Sequence, residues 1–243
     1  MGRSPLLIIA HRGASVAAPE STAAAIREAA RVGAGMVELD VQLTRDGRLV
    51  IFHDERLERT TDGRGKLGRT RYAGLARLDA GRWFHPRFSG ERILLLSQAL
   101  RLITGRMGMN LELKRTRMPR RLIRQLLRLL SRVPRRRTLL LSSFDAHLLE
   151  LARPSRRPLA LICRRGPNRS LRQAVRIGCA AWHPFRTLVT PRRVAAAHAA
   201  GLRVHAWTVD DLRTARRLAR MGVDGVFTND PARLVRTLRR QIP

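Results

Sequence analysis

Apolar residues fall along this chain in two alternating patterns. Short runs rich in leucine, isoleucine and valine predict eight strands, near residues 6–10, 36–43, 108–113, 138–142, 158–163, 180–183, 202–207 and 224–227. Between most of them lies an amphipathic stretch of helical period, near 20–33, 119–132, 145–153, 169–177, 191–200, 210–220 and 231–241. This βαβα rhythm predicts a parallel sheet, and eight units in 243 residues fit a closed (β/α)8 TIM barrel. An open doubly wound sheet is the alternative, although it usually needs fewer strands. The periodicity runs almost to both termini, so residues 1–243 read as a single domain.

One unit breaks the rhythm. After the second strand, the turn Arg45-Asp46-Gly47 leads into an apolar run over 48–52, which predicts a hairpin partner ending at His53 and Asp54. Residues 55 to about 95 are rich in Gly, Arg and Thr and show little periodicity. So long a loop in a compact barrel is more often functional than filler, and it predicts a small insertion over the barrel mouth.

Composition narrows the class. With 44% apolar residues and a mean hydropathy of -0.23, the chain can fill a core but is too polar for a membrane protein. The opening run Leu6 to Ala10 is too short for a signal-peptide core or a span. Cys163 and Cys179 have no motif spacing and read as free thiols, so a soluble cytoplasmic protein is the expectation. Charge is the unusual feature: 49 basic against 18 acidic residues give +31, and Lys66 and Lys114 are the only lysines. Paired arginines such as Arg120-Arg121, Arg192-Arg193, Arg216-Arg217 and Arg239-Arg240 are scattered over many helices, and aromatics make up only 4%. That distribution argues against specific nucleic-acid binding by a basic barrel protein; it fits a generally cationic surface with, at most, weak affinity for an anionic membrane.

The chemistry-bearing residues sit at strand ends. Glu38 and Asp40 are two apart on the second strand, and Glu112 and Lys114 repeat that spacing on the third, so each pair shares a face. Three carboxylates brought to one barrel mouth need a cation, and oxygen ligands suit Mg2+ or Ca2+. Taken singly, each carboxylate could equally be a strand-end charge paired with arginine. His11 and His53 close two strands over the same mouth and could serve as general acid and base. Arg12 offers a planar fork to a phosphate, and Lys114, a lysine kept in an arginine-rich chain, offers a compact point charge. His183 and Trp207, at later strand ends, either line a substrate pocket or pack in the barrel rim. Gly63-Arg-Gly65-Lys-Leu-Gly68 matches a dinucleotide fingerprint but opens no helix and reads as a loop. Ser142 and Ser143 lack a nucleophile-elbow pattern and read as a helix cap or hydrogen-bond donors.

These residues stand in stretches that resemble the glycerophosphodiester phosphodiesterase family: His11-Arg12-Gly13 with Pro19-Glu20, Glu38-Leu-Asp40, Phe52-His53-Asp54, Asn110-Leu-Glu112-Leu-Lys114, Val204-His-Ala-Trp207-Thr208 and Thr228-Asn229-Asp230-Pro231. The resemblance spans nearly the whole chain in family order. It implies a TIM barrel with a small insertion after the second strand, hydrolysing glycerophosphodiesters to an alcohol and glycerol 3-phosphate. By motif position it implies His11 and His53 as the acid/base pair, Glu38, Asp40 and Glu112 as ligands of a divalent cation, and Arg12 and Lys114 on the phosphate. A related activity on lysophospholipids, as a lysophospholipase D at a membrane surface, would leave similar motifs. Ser21 stands where the family usually has asparagine, and residues 93–98 lack its usual Pro-Thr-Leu-Glu-Glu pattern.

Overall fold

The computed structural model describes residues 5–103 and 107–239. Eight parallel strands close a barrel: β1 (Leu7–His11), β2 (Met36–Leu43), β4 (Gly108–Leu113), β5 (Leu139–Ser143), β6 (Leu159–Cys163), β7 (Ala181–Pro184), β8 (Arg203–Ala206) and β9 (Gly225–Thr228). The short β3 (Leu49–Ile51) pairs antiparallel with the end of β2, Val41 opposite Ile51, as the hairpin reading expects. Closure runs through Leu7 opposite Gly225 on one side of β1 and Ile9 opposite Met36 on the other.

The helices are α1 (Ala23–Arg31), α2 (Tyr72–Leu75), α3 (Leu96–Leu102), α4 (Pro119–Leu130), α5 (Ala146–Ala152), α6 (Pro167–Ile177), α7 (Pro191–Ala199), α8 (Leu212–Arg220) and α9 (Pro231–Arg239). Every expected strand and helix is present, with ends shifted by a few residues; positions 240 and 241 of the last expected helix, Arg240 included, lie outside the described residues. Two helices stand where the periodicity predicts none, the single turn α2 inside the insertion and the longer α3. The buried positions of α3, Leu96, Ala99 and Leu100, have helical spacing, but the apolar run 93–96 masks the period and no polar cap announces the start. The amide of Leu95 is instead met by the side chain of Gln98 at 2.8 Å.

A strand's period of two divides the barrel. Ile8, Val37, Leu39, Leu111, Leu141, Leu161, Val204 and Val226 point outward into the large core beneath the helices. The alternate positions point inward, where Ile9, Met36 and Phe227 form one small cluster and Leu140, Ala160 and Ala181 another. The same parity carries Glu38, Asp40, Asn110, Glu112, Ser142, His183 and His205 to the interior. Because parallel strands all end on the same side, those nearest their C-termini gather at one mouth.

The insertion has order that its composition does not announce. Val50, Phe52, Leu57, Leu67, Leu75, Ala80 and Ile93 form a separate apolar cluster. Asp79 ties its outer loop, accepting from the amides of Gly81, Arg82 and Gly90 and from the Ser89 hydroxyl. These charge-assisted bonds hold its carboxyl well below the usual range against the opposing effect of desolvation. The Gly63 to Gly68 stretch lies in this insertion, with only a short 3-10 turn at Leu67–Arg69.

Candidate active site

The first element of the site is a strained turn. Arg12 leaves β1 with φ 57°, a left-handed conformation unusual for a side chain of its size. This geometry aims its backbone N–H at Glu38 Oε2, 2.9 Å away. Gly13 follows at φ 88°, and a Cβ there would lie within 2.8 Å of the Ala25 backbone, so only glycine lets the turn dock on α1. The Arg12 guanidinium then reaches Glu20 at 3.0 Å and Asp40 at 3.5 Å.

Strand register assembles the carboxylates. His11 lies opposite Glu38, and Asp40 lies opposite Glu112. Glu38 and Asp40 are 2% and 1% exposed, and one oxygen from each of Glu38, Asp40 and Glu112 lies within 4.8 Å of the others. Lys114 Nζ binds Glu112 at 2.9 Å and Asp40 at 3.2 Å. Desolvation, then the charges of Asp40 and Glu112, pushes the Glu38 pKa well up; desolvation and Asp40 push Glu112 up to about 7. Glu38 Oε1 and Asp40 Oδ2 are buried and accept no hydrogen bond, Asp40 Oδ2 having only the Arg12 Nε at 3.5 Å beside it. Buried carboxylate oxygens that accept no hydrogen bond, in a cluster of mutually repelling acids, fit a hard divalent cation, and the all-oxygen donor set fits Mg2+ or Ca2+.

Two histidines flank the cluster with different supports. His11 Nδ1 bonds Asn229 Oδ1 at 2.8 Å, and burial, with the nearby Arg12 charge, lowers its pKa to about 4. His53 Nδ1 bonds Asp54, whose other oxygen takes a bond from Arg59. Burial raises the Asp54 pKa, but the bonds from Arg59 and His53 outweigh it and hold it at about 2. Arg59 also makes a fork to Glu20 at 2.7 and 2.8 Å, so the insertion, the β1–α1 loop and His53 share one ionic network. Burial lowers the His53 pKa as well, opposed by Asp40. In both rings Nδ1 is engaged and Nε2 is the nitrogen left for chemistry.

Nine residues were singled out in the sequence, and the structure gathers eight at the mouth. Trp207 is there, packed edge-on against Phe144 and Phe185, its indole N–H on the His183 carbonyl at 2.8 Å. His183 is not: it is completely buried inside the barrel, 3.1 Å from His205 and against Phe227, with no surface for a substrate. The parity of β7 turns it inward, and the Trp207 side chain lies over its carbonyl. Ser142 accepts from Asn110 and Ser143 donates to the Leu113 carbonyl, while Asp145 rather than either serine caps α5. The supports Asp54, Glu20, Arg59 and Asn229 were given no role in the sequence reading. Asp54 adjoins His53, and Asn229 directly follows a strand at the same mouth where His11 ends one; position is the signal for both.

The sequence model of the glycerophosphoryl diester phosphodiesterase family matches residues 11–233 of the chain. The chain belongs to this family. Its membership makes it an enzyme, a phosphoric diester hydrolase. A glycerophosphodiester phosphodiesterase of Caldanaerobacter subterraneus subsp. tengcongensis is 34% identical over 238 residues, covering 96% of this chain and 98% of its own. Among solved structures of the family, a phosphodiesterase of Oleispira antarctica in complex with its product sn-glycerol-3-phosphate superposes with a TM-score of 0.92 at 33% identity, covering 98% of both chains. A glycerophosphodiester phosphodiesterase of Agrobacterium tumefaciens superposes with a TM-score of 0.81 at 29% identity, over 95% of this chain and 99% of the other.

Proposed function

We propose that this enzyme hydrolyses glycerophosphodiesters to an alcohol and glycerol 3-phosphate, with Glu38, Asp40 and Glu112 holding Mg2+ or Ca2+ and with His11 and His53 exchanging the protons. The observation that carries this reading is the cluster of Glu38, Asp40 and Glu112, with carboxylate oxygens that accept no hydrogen bond, at a mouth shared with two histidines whose Nδ1 atoms are already tied. A divalent cation bound there would draw charge from a phosphoryl oxygen as the transition state forms. The protein's own groups do the rest.

Arg12 and Lys114 put two fixed positive charges beside the carboxylates, placed to hold the anionic diester and the charge it gains. The two imidazoles divide the acid and base work by their supports. His11 is tied to a neutral amide, and desolvation with the nearby Arg12 charge favours the uncharged ring, which suits it to accept the proton of the attacking oxygen. His53 is backed by the ionised Asp54, which works with Asp40 against the lowering of its pKa by burial and so suits it, of the two rings, to carry the proton to the leaving alkoxide. Trp207 gives the opposite side of the mouth an apolar wall for one arm of the substrate.

A second substrate class is favoured by one feature. Phe144 and Val16, both exposed, stand on loops at opposite sides of the mouth, two apolar contacts open to the acyl chain of a lysophospholipid. Release of glycerol 3-phosphate or free choline from a panel of water-soluble diesters and lysophospholipids, with and without divalent cation, separates the two. Cation-dependent release from glycerophosphocholine supports the principal reading; release from lysophospholipids alone replaces it with the second.

A further inference from the structure

The positive charge of this chain is concentrated on one flank. Residues 115–209 carry 22 arginines against two carboxylates, Asp145 and Glu150, a net +20 of the chain's +31. In that span 17 arginines are exposed but, of the carboxylates, only Glu150. A general preference for arginine over lysine exchanges one cation for another; it does not reduce the acids of 95 consecutive residues to two. The span is contiguous in space as well, because α4 packs beside α5, α5 beside α6, and α6 and α7 border a common groove.

We propose that this flank docks the enzyme on an anionic phospholipid surface. Two exposed apolar side chains stand among its arginines: Val175 between Arg172 and Arg176 on α6, 46% exposed, and Phe144 at the mouth rim, 49% exposed. Isolated apolar side chains ringed by guanidinium groups suit the headgroup boundary of a bilayer. A single-stranded nucleic acid would instead call for a cationic channel lined with stacking aromatics. The groove between α6 and α7, about 490 Å³, has Leu171 and Ala196 in its lining with Arg172 and Arg192 alongside, which fits a phosphate headgroup. Because the rim of the flank reaches Phe144, docking brings the mouth close to the surface. The inference does not depend on which diester is cleaved.

The test is flotation of the full chain with vesicles of phosphatidylcholine alone and of phosphatidylcholine with 30% phosphatidylglycerol, at about 0.1 M salt. Binding is expected to the anionic vesicles only and to weaken steeply with salt. R124Q/R128Q/R172Q/R176Q should lower the partition coefficient by at least about 100-fold, at roughly fivefold per basic side chain at the surface. R64Q/R69Q/R71Q/R82Q removes the same charge from exposed arginines of the insertion and should change it less than about threefold. Equal losses in the two quadruple variants would show that net charge acts without a docking face and would overturn the proposal. So would failure of the parent to bind anionic vesicles, or tighter binding of single-stranded RNA than of vesicles through the same four arginines.

Discussion

Asn229 fixes the proton of His11. The Asn229 amide donates through Nδ2 to Asp210 Oδ2 at 2.8 Å, and its backbone N–H donates to Asp210 Oδ1 at 2.7 Å. A carboxylate only accepts, so the amide oxygen must face His11, and His11 Nδ1 must carry the hydrogen. Nε2 is thereby left as a lone pair at the mouth. Asp210, on the loop after β8, thus sets the tautomer of a ring on β1 through one asparagine.

Asn229→Ala should lower kcat by about 10- to 100-fold with little change in KM, since it frees the ring without removing it. Asn229→Asp puts an anion against Nδ1 and raises the His11 pKa from about 4. Because His11 acts unprotonated, the acid limb of the kcat profile should move to higher pH in that variant. Steady-state kinetics across pH 4 to 9 check both, and an unmoved acid limb would remove His11 from the base role.

The carboxylate cluster links cation binding to protons. Glu112, raised to about 7 by desolvation and Asp40, holds its proton more tightly in the folded chain than in the unfolded one. Metal-free protein is therefore stabilised by this group at low pH, and the contribution is lost as pH rises from about 4.5 through about 7. Mg2+ or Ca2+ should release protons on binding near pH 6.5. Calorimetric titration in buffers of different ionisation enthalpy measures this release directly.

Lys114 and Lys66 form an internal comparison. Lys114 Nζ bridges Asp40 and Glu112, whereas Lys66 pairs with the exposed Glu55 at 2.7 Å. Lys114→Met should reduce kcat/KM by about 100-fold or more, and Lys114→Arg should also be impaired, because a planar guanidinium cannot occupy the position of a compact ammonium between two carboxylates. Lys66→Arg should be silent. Parallel kinetics of the three variants settle whether lysine at 114 is required.

The interior pair His183 and His205 makes the barrel acid-sensitive. Burial lowers both pKa values, His205 to about 4, so each ring is neutral in the fold and charged when unfolded below pH 6.5. Stability is complete above about 6.5 and falls as pH drops toward 4, by about 3 kcal/mol for His205 alone. Chemical denaturation of the parent and of His205→Gln over that range measures the slope, which should be shallower in the variant.

The barrel was legible because its information is local: an inward or outward parity on each strand, an apolar stripe on each helix. The carboxylates were legible for the same reason, since Glu38 with Asp40 and Glu112 with Lys114 announce a shared face two residues apart. What the sequence hid depended on contacts between distant segments. His183 has the same strand-end position and the same inward parity as the functional residues, yet the residues that cover it, His205 and Trp207 from β8 and its following loop and Phe227 from β9, come from distant segments. Arg59 lies in a stretch without periodicity, and only the folded insertion brings it to Asp54 and Glu20. The helix α3 was hidden by an apolar run that reads equally well as strand or helix until its packing is known.

The central claim, that one cation-loaded site built on Glu38, Asp40 and Glu112 cleaves glycerophosphodiesters with the aid of two histidines, is tested most directly by 31P NMR of glycerophosphocholine turnover. Parent enzyme loaded with Mg2+ or Ca2+ should convert the diester resonance to that of glycerol 3-phosphate, chelated enzyme should leave it unchanged until the cation is restored, and His11→Ala and His53→Ala should each slow conversion by at least about 100-fold. Full turnover by verified metal-free enzyme, or parent-rate turnover by either folded histidine variant, would contradict it.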